Sequence, residues 1–117
     1  MSGYQPDRVE TRIVEDRHEL RYRVVERGTL CGTPVELCAI SRSGAQLACL
    51  QCHFPWISQR LREPPVMVEL FLTACLPLSV EVIYVCQAEE EYLVGVHFVQ
   101  VEPAVRKLLD EYISTLL

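Results

Sequence analysis

Lysine is nearly absent from this 117-residue chain, which contains only Lys107. The other ten basic residues are arginines, and 16 acidic residues bring the formal net charge to −5 at pH 7. A protein that binds nucleic acid without sequence preference needs a basic face, because it must neutralise the phosphate backbone. The charge balance therefore argues against a DNA-binding protein.

Long apolar runs are missing as well. No stretch approaches the roughly 20 apolar residues that a membrane-spanning helix requires, so we expect no membrane insertion. The first residues, MSGYQPDRVETR, are polar and lack the apolar core of a secretory signal. The sequence therefore predicts a cytoplasmic protein, in which its six cysteines stay as thiols.

No convergent set of catalytic residues is apparent in the sequence. The three histidines are scattered, no Ser-His-Asp order is evident, and no glycine-rich phosphate loop follows a strand. The run of three glutamates at 89–91 is typical of a solvated turn. We predict that the protein is not an enzyme.

Residues 49–53 read C-x-x-C-H, the pattern by which c-type haem is attached. Covalent haem normally follows export, and it needs an axial ligand beyond His53. A structural zinc ion needs four ligands, and Cys75 and Cys86 do not form a second C-x-x-C. We therefore predict buried or half-buried thiols at a strand end, with no metal and no cofactor.

The first 30 residues hold six of the eleven basic residues together with six acids. Residues 1–18 show neither helical nor strand periodicity, and we predict a flexible, arginine-rich N-terminal arm there, followed by one folded unit over 19–117. Arginine offers a planar fork that pairs with phosphate and stacks on bases. The arginines in question are Arg8, Arg12, Arg17, Arg21, Arg23 and Arg27.

Six short segments with strand patterns follow the arm. The first, ELRYRVVE, alternates apolar and polar residues, and turn residues such as Gly32-Thr33-Pro34 separate the segments. Six strands at this spacing favour an antiparallel barrel or sandwich. After Pro103 the apolar residues take helical spacing, which predicts one amphipathic helix of about 13 residues. The other strand segments are VELCAIS, AQLACLQC, VMVELFLTA, LSVEVIYVCQ and the end of EEEYLVGVHFVQV.

Two segments together resemble the PilZ domain family. The first is AISRSGAQL, residues 39–47, and the second is YLVGVHFVQVEPAVRKLLDEYI, residues 92–113. The resemblance spans roughly residues 8–116. It implies a mainly β fold, a six-stranded antiparallel β-barrel with one C-terminal α-helix. Many members of that family are receptors for the bacterial second messenger cyclic di-GMP.

The resemblance also implies an arm motif, R-x-x-x-R, ahead of the first strand. The segment ahead of the first strand carries it twice. We favour Arg8 and Arg12 as the ligand-binding pair, because they precede the strand by the family's usual distance. Arg17 and Arg21 are the alternative pair.

The second family motif is D/N-x-S-x-x-G, after the second strand. Ser41 and Gly44 match it and are predicted to bind the ligand, whereas Ala39 replaces the Asp or Asn. An acidic or amide side chain there would accept from a guanine edge, and losing one such contact costs about 1–3 kcal/mol. The serine hydroxyl is expected to donate to phosphate, and the glycine to let backbone approach the ligand. As a plain turn, S-x-x-G would instead need Gly44 only for a positive φ.

Two functions remain open. The first is a receptor for cyclic di-GMP that engages a protein effector of motility, secretion, pilus or exopolysaccharide systems. The second is a degenerate barrel that binds no nucleotide and acts by protein contact alone, as in type IV pilus assembly, through the region around 54–56. We expect Trp56 to lie in the core and His97 to point away from it.

Overall fold

The computed structural model describes residues 20–117 and shows a closed barrel of six antiparallel strands followed by a helix. The predicted β-barrel and C-terminal helix are confirmed. The predicted arm over 1–18, with Arg8, Arg12 and Arg17, lies outside the described residues. The strands are β1 (Tyr22–Leu30), β2 (Thr33–Ile40), β3 (Gly44–Leu50), β4 (Val66–Phe71), β5 (Cys75–Ala88) and β6 (Glu91–Val99).

The strands follow one another around the barrel in the order β1-β2-β3-β6-β5-β4. Pairing of β1 with β4, from Arg27 opposite Phe71 to Leu30 opposite Val68, closes the ring. Strand alternation sends every second side chain inward. The core consists almost wholly of aliphatic residues, among them Leu30, Leu37, Ile40, Leu47, Val68, Leu70, Leu76, Val94 and Val96.

Strand β5 begins at Cys75, three residues earlier than its sequence pattern predicts, and β4 ends earlier, at Phe71. Pro77 lies inside β5, opposite Glu69 of β4. Pairing of β5 with β6 starts only at Ser79. Proline lacks a backbone N–H, so it is tolerated where a strand has a neighbour on one side only.

The C-terminal helix, α2 (Pro103–Ser114), packs its apolar face on the barrel and contacts β5. Val105, Leu109, Tyr112 and Ile113 are buried, which confirms most of the predicted stripe. No helix among residues 20–117 is long and apolar enough to span a membrane.

The connection from β3 to β4 contains a short helix, α1 (Phe54–Ser58), between two single 3₁₀ turns, Gln51–His53 and Arg60–Arg62. Ile57 is fully buried, whereas Trp56 is 76% exposed. The prediction that Trp56 lies in the core is therefore wrong. Successive residues of a helix point about 100° apart, so a five-residue helix buries one of these two neighbours and exposes the other.

Candidate functional site

Residues 41–44 form a tight turn between β2 and β3, which we call the 41–44 turn. The Ser41 N–H donates to the Gly44 carbonyl over 2.9 Å. The Ser41 hydroxyl oxygen accepts from the backbone N–H groups of Ser43 at 3.3 Å and Gly44 at 3.2 Å. The Ser41 side chain is 2% exposed. Its hydroxyl therefore holds the shape of the turn.

Gly44 is required by the close approach of two strands. A Cβ atom built at Gly44 would lie 2.4 Å from the Val96 carbonyl oxygen of β6. Gly44 is not among the positive-φ residues of the described chain, so the positive-φ interpretation of this glycine is wrong. Because the obstacle is backbone, any side chain at position 44 must push β3 and β6 apart.

A row of residues paired across neighbouring strands runs around the barrel beside this turn, and its Ala39 and Gln46 are buried. Arg23 of β1 pairs with Ala39 of β2, and Ala39 pairs with Gln46 of β3. Gln46 pairs with Gly95 of β6, and the Tyr84 ring of β5 covers Gly95. The Tyr84 hydroxyl donates to Gln46 Oε1 over 3.0 Å, which orders this face.

A shallow groove follows the Arg23 end of this row, and we call it the Ala39 groove. Burial first, then the negative charges of Glu36 and Glu91, raise the pKa of the Cys38 thiol in this groove to about 11. The Arg23 guanidinium acts in the opposite direction. The groove therefore contains both carboxylates and an arginine. It is lined by Arg23, Val24, Val25, Glu36, Cys38, Ala39, Gln46, Glu91 and Leu93.

Arg21 lies at the same end of the barrel as the 41–44 turn. Tyr22 pairs with Ile40, and continuing that register places Arg21 next to Ser41. The guanidinium Nε and Nη1 atoms of Arg21 are buried and have no hydrogen-bond partner among the described residues. Buried donors of this kind are normally paired, because leaving a charged donor unpaired costs free energy. Among the described residues, the Nε and Nη1 groups of Arg21 are thus donors without an acceptor, and an anion could accept from them.

The 41–44 turn is also fastened to helix α2. Arg42 Nε and Nη2 donate to the two carboxylate oxygens of Asp110 at 3.1 and 3.3 Å. Arg106 Nη1 donates to the Arg42 carbonyl oxygen at 2.8 Å and lies 3.4 Å from Asp110 Oδ1. The hydrogen bond from Arg42, with smaller effects of charge and of Arg106, lowers the pKa of the Asp110 carboxyl.

The C-x-x-C-H segment is split by the end of β3. Cys49 is buried in the strand, as predicted, and burial together with nearby Cys52 and Glu91 raises the pKa of its thiol. Cys52 lies in the following 3₁₀ turn and is exposed, so the prediction of a buried or half-buried thiol is wrong for it. Within residues 20–117, His, Cys, Asp and Glu side chains form no group of three placed to hold a metal ion.

The structure brings three of the predicted positions together, namely Ser41, Gly44 and the alternative arm residue Arg21. Sequence reasoning missed Arg42 and Gln46. Gln46 had a visible sign, since it is a polar residue inside the otherwise apolar strand GAQLACL. Arg42 had none, because its partner Asp110 lies 68 residues further along the chain. His97 is exposed, as predicted. A comparison with protein-family models and with curated proteins returned no match for this chain.

Proposed function

We propose that this protein is a PilZ-like, non-enzymatic receptor for cyclic di-GMP, which binds where the arm meets the 41–44 turn. The observation that carries this proposal is the guanidinium of Arg21, whose buried Nε and Nη1 atoms have no partner among the described residues. Its position beside Ser41 is where the family's arm motif meets its turn motif. A phosphate group satisfies such a fork with two charge-assisted hydrogen bonds.

The geometry favours Arg17 and Arg21 as the arm pair, in place of Arg8 and Arg12. Arg21 directly precedes β1 and borders the turn, whereas Arg8 lies 13 residues earlier in the sequence. Arg17 is four residues before Arg21 and lies outside the described part of the chain. We assign Arg21 to a ligand phosphate and Arg17 to the same ligand from the arm.

The Ala39 groove supplies a place for a guanine base. Ala39 removes the side-chain acceptor of the family motif, but Glu36 and Glu91 line the same groove. A carboxylate only accepts hydrogen bonds, and the guanine N1–H and N2–H groups donate. The corresponding edge of adenine carries an acceptor at N1, so this groove should prefer guanine. The same carboxylates repel phosphate, so we propose that the phosphates bind away from them, towards Arg21.

Ser41 contributes to this site through the shape of the turn. Its hydroxyl accepts from the Ser43 and Gly44 N–H groups and donates to the Gly44 carbonyl oxygen at 3.4 Å, so we propose that it positions backbone and does not donate directly to phosphate. Gly44 likewise serves the close contact of β3 with β6. Both residues fix the turn against which the ligand would rest.

Isothermal titration of the full chain with cyclic di-GMP tests the proposal. Saturable binding should be lost in Arg21→Ala and retained in Arg62→Ala, a control that removes an exposed arginine from the connection between β3 and β4. Cyclic di-AMP should bind more weakly than cyclic di-GMP. Absence of saturable heat at about 100 µM dinucleotide in low salt would refute the receptor, since that concentration nearly saturates a site with a Kd of about 10 µM.

Protein contact alone is the second candidate function, and Trp56 favours it. This indole is 76% exposed, and the next residue of the connection, Ile57, is fully buried. Exposed tryptophans are enriched among the residues that dominate binding at protein interfaces. In either case we propose a cytoplasmic protein that acts on an effector of motility, pilus or exopolysaccharide systems.

A further inference from the structure

We infer that Arg42 is a further ligand-binding residue, which exchanges the Asp110 carboxylate for a phosphate of the ligand and thereby loosens helix α2 from the 41–44 turn. This inference rests on the proposed function and extends it, because it identifies how ligand binding changes the attachment of helix α2. Arg42 occupies one of the two unspecified positions inside the S-x-x-G motif.

The Asp110 carboxylate binds Arg42 in the way that a phosphate would. Both oxygens of Asp110 face the guanidinium edge formed by Nε and Nη2, and this is the bidentate arrangement that arginine also makes with phosphate. A phosphate that reaches the turn can therefore accept the same two hydrogen bonds that Arg42 now donates to Asp110.

Solvent exposure makes this exchange feasible. The side chains of Arg42 and Asp110 are 63% and 40% exposed. Exposed ion pairs contribute little to stability, so a ligand can displace the carboxylate at small cost. A buried pair would resist such an exchange because its partner would be left unpaired.

Helix α2 would remain attached after the exchange, but with fewer contacts to the turn. Arg106 still donates to the Arg42 carbonyl oxygen at 2.8 Å and to Asp110. The apolar face of the helix stays packed on the barrel through residues such as Leu109. The part of helix α2 around Asp110 is therefore released from the 41–44 turn, but the helix does not unfold.

Ligand binding to Arg42 and formation of the Arg42–Asp110 ion pair exclude each other. Removing the Asp110 charge should therefore strengthen ligand binding. We expect Asp110→Asn to bind cyclic di-GMP about twofold to fivefold more tightly than the unmodified chain, because Arg42 no longer has a charged competitor. Arg42→Ala should bind about tenfold more weakly or worse. Glu111→Gln is the matched control, since it removes the same charge from the next residue of the helix, and it should bind as the unmodified chain does.

The direct readout is the Asp110 carboxyl carbon, followed by NMR during a pH titration with and without cyclic di-GMP. Its pKa should rise when the ligand binds, because its hydrogen bond from Arg42 is lost. Ligand that binds without moving this pKa, with Asp110→Asn no tighter than Glu111→Gln, would overturn the role of Arg42 and leave the receptor intact. Absence of binding by the unmodified chain would overturn both.

Discussion

The Tyr112 hydroxyl of helix α2 donates a 2.9 Å hydrogen bond to Glu26 Oε2 of strand β1. These residues are 86 positions apart in the sequence, and their contact ties the end of the chain to the first strand. The regular pairing of β1 with β2 is interrupted between Arg23 and Glu26. This interruption lies beside the Ala39 groove, which Val24 and Val25 help to line. The helix is thus attached both to strand β1 and to the 41–44 turn.

Alkaline pH should weaken this attachment. Burial, with smaller effects of the hydrogen bond to Glu26 and its charge, raises the pKa of Tyr112 to about 12. The ordinary pKa of tyrosine is about 10, so the neutral form is favoured in the folded state. The stabilisation is fully present below pH 10 and is lost as the pH rises towards 12.

Tyr112→Phe should therefore lower the free energy of unfolding by about 0.5–1.5 kcal/mol at pH 8 and reduce the loss of stability between pH 10 and 11. Urea unfolding at pH 8, 10 and 11 measures the effect. Tyr22→Phe, which removes a hydroxyl from the strand that carries Glu26, is the control. An unchanged pH dependence in Tyr112→Phe would mean that the contact does not hold the helix.

Gly44→Ala should destabilise the barrel by about 1–3 kcal/mol or more, because the added Cβ meets the backbone carbonyl of Val96. Gly95→Ala is the matched comparison. Its Cβ would meet the ring of Tyr84, a side chain that can shift by giving up its hydrogen bond to Gln46, so Gly95→Ala should cost less. Chemical denaturation of both variants tests this order. A smaller loss for Gly44→Ala than for Gly95→Ala would contradict the account of this glycine.

Trp56→Ala should leave the free energy of unfolding within about 0.5 kcal/mol of the unmodified value, since the indole is exposed. Ile57→Ala, one residue along, should cost about 2–5 kcal/mol because it empties a core position. A stable Trp56→Ala protein that loses cellular function would support the protein-contact function. Substantial unfolding of Trp56→Ala would instead show that the indole has a structural role.

Cys38 should react slowly with iodoacetamide. With its thiol pKa raised to about 11, only about one molecule in a thousand is thiolate at pH 8, and the thiolate is the nucleophile. Cys52 and Cys75 are exposed and should be labelled first. Mass spectrometry after short labelling times measures the order in which the cysteines react. Rapid labelling of Cys38 would show that its thiol is accessible and that burial does not raise its pKa.

The barrel was predictable because strand alternation and turn residues report burial locally. From Tyr22 to Val24 the apolar and polar residues alternate as burial does, whereas Val25, which is 81% exposed, departs from the pattern where the pairing of β1 with β2 is irregular. The site was predictable only in part, since Ser41 and Arg21 become neighbours through the pairing register of β1 with β2. No local pattern in the sequence reveals that register. Nor does any local pattern reveal that the Ser41 hydroxyl already forms hydrogen bonds within its own turn.

Trp56 and Arg42 illustrate the same limit. Apolar character alone suggested a buried indole, but the five-residue helix presents Ile57 to the core. Arg42 looked like an unspecified position of a motif, yet it binds a carboxylate on the final helix. Both outcomes depend on tertiary packing, which a single sequence does not encode in any short window.

The most direct test of the central claim is an amide NMR titration of the full chain with cyclic di-GMP. The account predicts saturable shifts at Arg21 and at residues 41–44, with further shifts around Asp110, and their loss in Arg21→Ala. A spectrum of the unmodified chain that stays unchanged up to about 100 µM ligand would contradict it.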